Sequence, residues 1–330
     1  NPPPRRAAAA TAPPHSRLGR RRRLWQPRRM TRHLMLLLCP LCSSLGAGGE
    51  PGTGGSTPPP DWLEWRARRL EAITGTNGWT TLIARHWLTE GTHSAGSYPT
   101  NEIVLPEGRA AGAIGRFVRT GRTVRFEAAP GMAATVDGQS VTAVTMNTDH
   151  AGHPTKLTVG TLSFVVIERG DRLGLRVRDP EAPARRQFPG LQYFPYDPAW
   201  RINGRFEAFA QARTLHVPDV IGGTQEFPSP GAVVFTVEGR EHRLDVADEG
   251  EGEDFFVMLR DQTSGDRTYG SGRFLYVPRP DAQGRVVIDF NRAYTPPCGF
   301  TEFATCPLPP RQNWLPIPIR AGELAPPSHH

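Results

Sequence analysis

Short β-branched segments separated by turn residues fill the chain after Thr89 and restrict it to folds built from sheets. Such segments suit a pleated, half-buried surface, whereas an amphipathic helix needs apolar residues three or four apart over several turns. No stretch after Thr89 keeps that helical spacing for more than about ten residues. The strand-like segments are residues 116–118, 123–126, 134–136, 162–167, 204–209, 214–217, 233–237, 255–259, 273–277 and 286–290. The pattern predicts a mostly β protein with antiparallel sheets in a sandwich or barrel-like arrangement.

Three dipeptides mark positions where hairpin turns are expected. Asp137-Gly138 lies between two strand-like segments and favours the tight turn whose two central residues both have positive φ. Glu238-Gly239 and Gln283-Gly284 occupy comparable positions further along the chain. Each predicts that the segments on its two sides fold back on one another.

One amphipathic helix is expected ahead of the strands. Asp61 is predicted to cap it, the helix is predicted to run through Thr74, and Gly75 and Gly78 are predicted to end it. Its apolar residues recur at helical spacing, with arginines between them. They are Trp62, Leu63, Leu70 and Ile73. We expect this helix to pack on the sheets with that apolar side.

The N-terminal part carries the pattern of an export signal followed by a linker. Residues 30–46 are predicted to be a signal peptide, since arginines precede a short apolar run and small residues follow it. That run is about nine residues long, so no membrane span is expected, because a spanning helix needs roughly 20. Met30 suggests a natural start and residues 1–29 an upstream extension, while residues 47–60 form a Gly/Pro-rich linker. Cys42 is a candidate for a lipid anchor, in a poor acylation context.

The positive charge of the chain is concentrated near its N-terminus. The chain carries +7 overall, but residues 1–49 contain ten arginines and no carboxylate. Subtracting that ten from +7 leaves about −3 for residues 50–330, so the folded part has no basic field to attract phosphates. We therefore expect no nucleic-acid binding by the folded part. The signal-peptide pattern separately predicts an exported protein that is periplasmic, attached to the envelope or secreted.

A single β-rich domain is predicted from residue 61 to residue 325. A segment rich in proline and arginine at residues 180–198 is expected to divide it into two lobes. Residues 326–330 form a tail.

Four blocks of polar and aromatic residues together resemble a known bacterial family. The blocks are Gly78-Trp79 with His86-Trp87-Leu88; Arg169-Gly170-Asp171-Arg172 with Arg176-Val177-Arg178-Asp179; Asp261-Gln262-Thr263-Ser264-Gly265 with Tyr269 and Gly272-Arg273-Phe274-Leu275; and Asp289-Phe290-Asn291-Arg292-Ala293-Tyr294 with Cys298 and Cys306-Pro307. They resemble the domain-of-unknown-function 1684 family from about Trp65 to Glu323, with Thr295 where the family pattern has Asn. The resemblance implies a shared fold and no activity, because none is assigned to the family.

Cys298 and Cys306 are the most distinctive candidate pair. Seven residues separate them in a proline-flanked segment, and in an exported protein such a pair is expected to form a disulfide. Two alternatives remain open, a thiolate nucleophile and a pair of buried inert thiols. Metal ligation would need further donors at a recognisable spacing, and the sequence offers none, so no metal site is predicted. No signature for a nicotinamide, flavin or haem cofactor is present either.

Five residues are candidates for catalysis and five for ligand binding. The catalytic candidates are His86, Asp261, Tyr269, Asp289 and Cys298. The ligand-binding candidates are Arg176, Arg178, Arg273, Asn291 and Tyr294. Strand alternation places Arg176 and Arg178 on one side of a strand, where planar guanidinium groups can fork onto an anion. The alternative is a ladder of structural ion pairs with Asp171 and Asp179, and for His86 a hydrogen-bonded packing role.

Three functions are compatible with these candidate residues. The first is an envelope or secreted module that binds a small or polymeric anionic ligand in a β cleft. The second is a hydrolase of unknown substrate that uses some of the catalytic candidates. The third is a structural or interaction protein in which every motif serves the fold.

Overall fold

The computed structural model describes residues 57–327. The predicted signal peptide, its upstream extension, most of the linker and Cys42 lie outside the described residues and stay predictions. Among the described residues, no helix is both long and apolar enough to cross a bilayer.

The mostly β prediction is confirmed, and the first half of the described chain forms eleven strands. They are β1 (Leu82–Leu88), β2 (Gly91–Gly96), β3 (Ile103–Val104), β4 (Gly115–Thr120), β5 (Thr123–Ala128), β6 (Ala134–Val136), β7 (Gln139–Val141), β8 (Ala143–Met146), β9 (Leu157–Val159), β10 (Leu162–Arg169) and β11 (Arg172–Arg178).

The second half adds six strands, and short helical turns connect several elements. The strands are β12 (Arg201–Pro218), β13 (Thr224–Val237), β14 (Arg240–Asp245), β15 (Phe255–Leu259), β16 (Arg273–Val277) and β17 (Arg285–Asp289). The helices are α1 (Pro60–Thr74) and α2 (Pro183–Arg186), and the 3-10 turns are Trp79–Thr81, Asp149–Ala151, Pro198–Trp200, Phe290–Arg292, Pro297–Gly299 and Arg311–Asn313.

Helix α1 has the predicted extent, but its first turn differs from the prediction. Asp61 does not cap the helix. Pro59 stands at the cap position without a side-chain hydrogen bond, and Pro60 takes the first helical position. A proline suits that position because its fixed φ matches the helix and its missing N–H would have no partner there. The Asp61 carboxylate pairs instead with Arg292.

The tight turn predicted at Asp137-Gly138 is present. The two residues have φ of 50° and 79° and join the antiparallel pair β6 and β7. Glu238-Gly239 repeats this geometry between β13 and β14, with φ of 51° and 74°. Gly284 also has a positive φ, but the strands on its two sides, β16 and β17, lie in different sheets.

Strands β1 to β11 form a sandwich of two sheets. One sheet has the order β1-β11-β10-β9-β6-β7 and the other β3-β2-β4-β5-β8. Only the short pair β2 and β3 is parallel within these sheets. The inner faces meet through aromatic rings. The ring centre of Phe117 in one sheet lies 5.6 Å from that of Phe164 in the other sheet and 5.0 Å from that of Phe126 in the same sheet. Alternation along each strand therefore leaves the opposite faces available for other contacts.

Strands β12 to β17 enclose a second core. The sheet β14-β13-β12-β17 packs against the pair β15-β16, with Phe206 stacked on Phe255 at 5.2 Å. The sequence predicted two strands at residues 204–209 and 214–217, but both belong to the 18-residue strand β12, which continues through a register shift. Helix α1 adjoins this region, because the Trp62 indole N–H donates to the Asn291 carbonyl at 3.0 Å.

Candidate functional site

The outer face of the six-stranded sheet carries a row of arginines. On β11 every second residue points to this face, and cross-strand pairing brings Arg85 of β1 opposite Arg176, and Arg169 of β10 opposite Arg172. We call Arg85, Arg169, Arg172, Arg176 and Arg178 the arginine face. Alternation along three adjacent strands produces it, so side chains nearly 100 residues apart meet on one surface.

Segment 298–306, from the second half of the chain, lies across this face. The Arg85 guanidinium donates to the Ala304 carbonyl at 2.8 Å. The Thr305 hydroxyl accepts from Arg169 Nε at 2.9 Å and from Arg176 Nη2 at 3.0 Å. One hydroxyl therefore holds two guanidinium groups close together.

The predicted ladder of ion pairs with Asp171 and Asp179 is not formed. The Asp179 carboxylate instead accepts from Arg109 Nε at 2.7 Å. Arg178 donates to the Gly78 carbonyl at 2.6 Å. Among the described residues, no ion pair joins Arg176 or Arg178 to either aspartate.

In the part of the chain that the structure describes, three members of the arginine face have only uncharged hydrogen-bond acceptors. The acceptors recorded for Arg85, Arg176 and Arg178 are all carbonyls or hydroxyls. Within residues 57–327, Nε of Arg85 and Nε of Arg176 are buried and have no hydrogen-bond partner.

The pKa of Arg176 reflects its burial beside another arginine. Its side chain is 9% exposed. Burial lowers its pKa to about 10, and the positive charge of Arg169 acts in the same direction. Burial also lowers the pKa of Arg178. A guanidinium is compatible with such a place because its charge is delocalised and weakly hydrated, but the site is still short of negative charge.

A cleft of about 740 Å³ opens beside the arginine face. Arg169 and Arg172 line one side of it. The Arg172 guanidinium lies 3.8 Å from the centre of the Trp87 ring, a cation–π contact. Gly174 makes room for that ring, because a Cβ there would come within 2.9 Å of it. Two arginines held on a rigid sheet thus form one wall of a cleft that is also lined by Asp149, Asp171, Asp219 and Glu226.

Carboxylates also line this cleft, but two of them already have partners. Asp149 pairs with Arg169 at 2.8 Å. Asp219 accepts the backbone N–H groups of Ile221 and Gly223, at 3.1 and 2.7 Å. These two carboxylates therefore hold the cleft walls in place.

A second site contains the two cysteines and Tyr269. The structure has Cys298 and Cys306 as free cysteines in contact, with the Cys298 backbone N–H donating to the Cys306 sulfur at 3.2 Å. Tyr269 donates its hydroxyl to the Cys298 carbonyl at 3.2 Å. The predicted disulfide is not formed in this arrangement and stays a prediction.

The environment makes the two thiols unequal. Cys298 is half-buried and Cys306 is buried. A hydrogen bond from the Cys306 thiol lowers the pKa of Cys298, and Tyr269 adds to that effect. The same contact, together with burial, raises the pKa of Cys306. Burial raises the pKa of Tyr269 to about 12, so its hydroxyl stays protonated and can donate.

Comparison with known proteins identifies the family. The model of the family described as "Protein of unknown function (DUF1684)" matches residues 186–324. The solution NMR structure of an uncharacterised protein of Haloarcula marismortui is 30% identical, and the alignment covers 44% of this chain and 82% of that protein, with a TM-score of 0.37. The chain belongs to the DUF1684 family.

Two further solved structures show a distant likeness. An FhaA FHA domain complexed with the intracellular domain of Rv3910 aligns over 28% of this chain and 96% of the solved chain, with 11% identity and a TM-score of 0.21. The FHA-2 domain of a Mycobacterium tuberculosis ABC transporter aligns over 26% of this chain and 74% of its own, with 22% identity and the same TM-score of 0.21. No curated protein matches the chain.

The two sites stand differently with respect to the DUF1684 match. The cysteine site lies wholly within residues 186–324, whereas the arginine face lies before them and is hydrogen-bonded to them through segment 298–306. The motif blocks at residues 78–88 and 169–179 also lie before the match. The family model therefore covers the cysteine site and does not cover the arginine face.

The remaining catalytic candidates of this DUF1684 protein lie apart from Cys298. Among the five, the hydrogen bonds join only Tyr269 and Cys298. Asp261 accepts from Arg273 in the second core, and Asp289 accepts from Asn291 at the end of β17. The hydrolase alternative stays a prediction.

Three ligand-binding candidates have contacts inside the protein. Arg273 is wholly buried, with its donors on Asp261 and on the Ile319 carbonyl. The Asn291 side chain bridges to the backbone of Asp197. Tyr294 stacks on Tyr276 and lines a separate cleft of about 640 Å³ that Asp289 also lines. The guanidinium of Arg273 has no exposed surface with which to meet a ligand.

His86 lies away from the arginine face and close to the first core. It pairs with Leu175 across the sheet, on the face opposite Arg85. Its Nε2 atom is buried and has no hydrogen-bond partner within residues 57–327. Burial lowers the pKa of His86, because the imidazolium form would lose its hydration.

We expect this lowered pKa to make stability fall in mild acid. The unfolded chain binds a proton near the ordinary histidine pKa of about 6.5, whereas folded His86 binds one only at lower pH. Its contribution is therefore complete above about pH 6.5 and is lost as pH falls towards the lowered folded pKa. Urea unfolding of wild type and His86→Gln from about pH 7 to about pH 5 should show a steeper loss in wild type. Parallel curves would contradict the assignment.

Sequence reasoning missed Arg85 and Thr305 as members of the site. Arg85 follows the strand alternation of β1 and could have been placed on a face by period alone. Thr305 carries no such signal, because its role depends on a contact made 129 residues away in sequence.

Proposed function

We propose that this protein is exported and binds a small or polymeric anionic ligand in the cleft beside the arginine face. One observation carries the proposal: among the described residues, the hydrogen-bond acceptors of Arg85, Arg176 and Arg178 are all uncharged. Buried charges are normally paired, and a buried guanidinium without a carboxylate costs free energy. An anion would complete this arrangement.

The chemistry of the cations suits carboxylate, phosphate or sulfate groups. Guanidinium groups present parallel N–H donors that match two oxygens of such an anion, and these charge-assisted bonds are stronger than neutral ones. Arg176 shares the Thr305 hydroxyl with Arg169, which lines the cleft. An anion that entered beside Arg169 would thus approach the least neutralised part of the arginine face.

Export and oxidation of the cysteines belong to the same proposal. The signal-peptide pattern at residues 30–46 would direct the chain out of the cytosol. In an oxidising compartment the contacting thiols of Cys298 and Cys306 would close to a disulfide. That bond would fix segment 298–306, which holds Arg85, Arg169 and Arg176.

The test compares Arg176→Gln with wild type and with Arg213→Gln. Calorimetric titration with inorganic phosphate tests a small anion, and titration with dextran sulfate tests a polymeric one. Removing one charge-assisted hydrogen bond should weaken binding about ten- to a hundredfold in Arg176→Gln. Arg213, exposed on β12, is a matched control that removes the same charge elsewhere, and its variant should bind like wild type.

Thermal unfolding separates lost binding from lost folding. Without ligand, Arg176→Gln should be as stable as wild type or more so, because the substitution removes a buried charge that, within residues 57–327, is not hydrogen-bonded to a carboxylate. With ligand, only wild type and Arg213→Gln should gain stability. Equal affinity in all three proteins, or no binding of either probe to wild type, would overturn the proposal.

A further inference from the structure

Cys298 borders a groove that neither the family nor the anion site explains. Cys298 and Tyr269 line this groove, which has a volume of about 690 Å³. Leu82, Phe300 and Phe303 supply apolar walls. We call it the thiol groove. Its volume lies within the range of sites that take small molecules, such as a peptide of a few residues.

The two cysteine side chains lie at different depths below the protein surface. Cys298 is half-buried and lines the groove, whereas Cys306 is 5% exposed and belongs to the apolar cluster behind it. The Cys298 N–H and the Cys306 sulfur are 3.2 Å apart, so the buried sulfur lies within reach of its neighbour. An accessible thiol backed by a buried one is the arrangement that disulfide exchange needs: the first attacks and the second resolves.

We propose that Cys298 and Cys306 form a thiol–disulfide exchange centre that acts on the disulfide of a short peptide bound in the thiol groove. The Cys298 thiolate attacks one sulfur of the peptide disulfide, so a mixed disulfide forms and the first peptide thiolate leaves. Cys306 then gives up its proton and attacks the Cys298 sulfur. The Cys298–Cys306 bond forms, and the second peptide thiolate leaves. Two electrons pass from the reduced protein to the peptide, and two protons accompany the two peptide thiols. The reaction leaves the protein in the Cys298–Cys306 disulfide form that the proposed function assigns to an oxidising compartment, so only the reduced protein is active in this exchange.

The surroundings of Cys298 favour this order of events. The hydrogen bonds from Cys306 and Tyr269 lower the pKa of Cys298, so it supplies the thiolate. Tyr269 also holds the backbone at Cys298 through its bond to the carbonyl. We assign Tyr269 as a positioning residue, because it acts through Cys298.

Trapping with glutathione disulfide tests the proposal on the full reduced chain. Cys306→Ser should accumulate one glutathione adduct on Cys298, because nothing resolves the mixed disulfide. Cys298→Ser should react at least about tenfold more slowly, since the buried Cys306 is a poor attacker. Wild type should lose two hydrogens and carry no adduct. Peptide mass mapping locates each product, because Cys39 and Cys42 also carry thiols.

The pH dependence of the trapping rate checks the role of Tyr269. In Cys306→Ser, adding Tyr269→Phe should move the rate profile to higher pH, because the hydroxyl that lowers the pKa of Cys298 is lost. A structural role alone would lower stability without that shift. If wild type oxidises but Cys306→Ser gains no adduct on Cys298, the pair is a structural disulfide and the exchange proposal fails. Inert thiols in every variant would also overturn it, while phosphate and dextran sulfate titrations of the same proteins report on the anion site separately.

Discussion

Replacing Arg273 by methionine is expected to lower the free energy of unfolding by about 3–5 kcal/mol. Arg273 and Asp261 pair at 2.8 Å with both side chains 0% exposed. The guanidinium also donates to the carbonyls of Ile319 and Ala321. The variant would leave the Asp261 carboxylate charged and unpaired in the second core, and that loss dominates the effect. Urea unfolding followed by tryptophan fluorescence measures it.

An exposed ion pair provides the control for this measurement. Arg285 pairs with Asp281 at the same 2.8 Å, but the two side chains are 74% and 40% exposed. Arg285→Met should therefore change stability little, because solvent screens such pairs. Restoring neutrality with the double variant Arg273→Met and Asp261→Asn should recover part of the loss. An Arg273→Met protein as stable as the Arg285→Met protein would contradict this assignment and leave Arg273 open as a ligand-binding residue.

Replacing Arg69 by methionine should cost nearly as much, because this residue anchors helix α1. Its Nε donates to Glu323 at 2.8 Å, and the two side chains are 8% and 1% exposed. The Glu323 carboxylate also accepts the Thr295 N–H at 2.9 Å. Without Arg69 this buried carboxylate loses its cation, so we expect a loss of about 3–5 kcal/mol. Urea unfolding measures the loss, and amide exchange should show faster opening of residues 60–74.

The neighbouring Arg68 is a matched control on the same helix. Arg68 pairs with Glu64 at 3.6 Å, with side chains 69% and 72% exposed. Arg68→Met should leave both the unfolding midpoint and the exchange of α1 close to wild type. If the Arg68 and Arg69 substitutions lower the free energy of unfolding equally, the loss comes from a change in helix α1 itself and not from the buried ion pair.

Local patterns in the sequence were sufficient for most of the elements. Alternating apolar residues located the strands, and the positive-φ turn at Asp137-Gly138 followed from its residue types. The cap of α1 was wrong because Pro60 starts the helix one residue before Asp61. The length of β12 was underestimated because its middle residues, 210–213, are exposed and lack an apolar alternation.

Only those features of the candidate site that follow from the alternation within a single strand were predictable. The period of β11 put Arg176 and Arg178 on one side, but the expected partner Asp179 is bound to Arg109, 70 residues earlier. The contact that brings Ala304 to Arg85 spans 219 residues. Such contacts depend on how the second half of the chain lies on the first sandwich, and residue types and spacing carry no information about that.

Native mass spectrometry after expression in an exporting host tests most directly whether the arginine face holds an anion. Wild type should carry a mass excess that vanishes under denaturing conditions and is absent from Arg176→Gln. Arg213→Gln should keep the excess, because its exposed guanidinium lies on β12 and not on the arginine face. A bare wild-type protein, or an excess that Arg176→Gln retains, would contradict the claim.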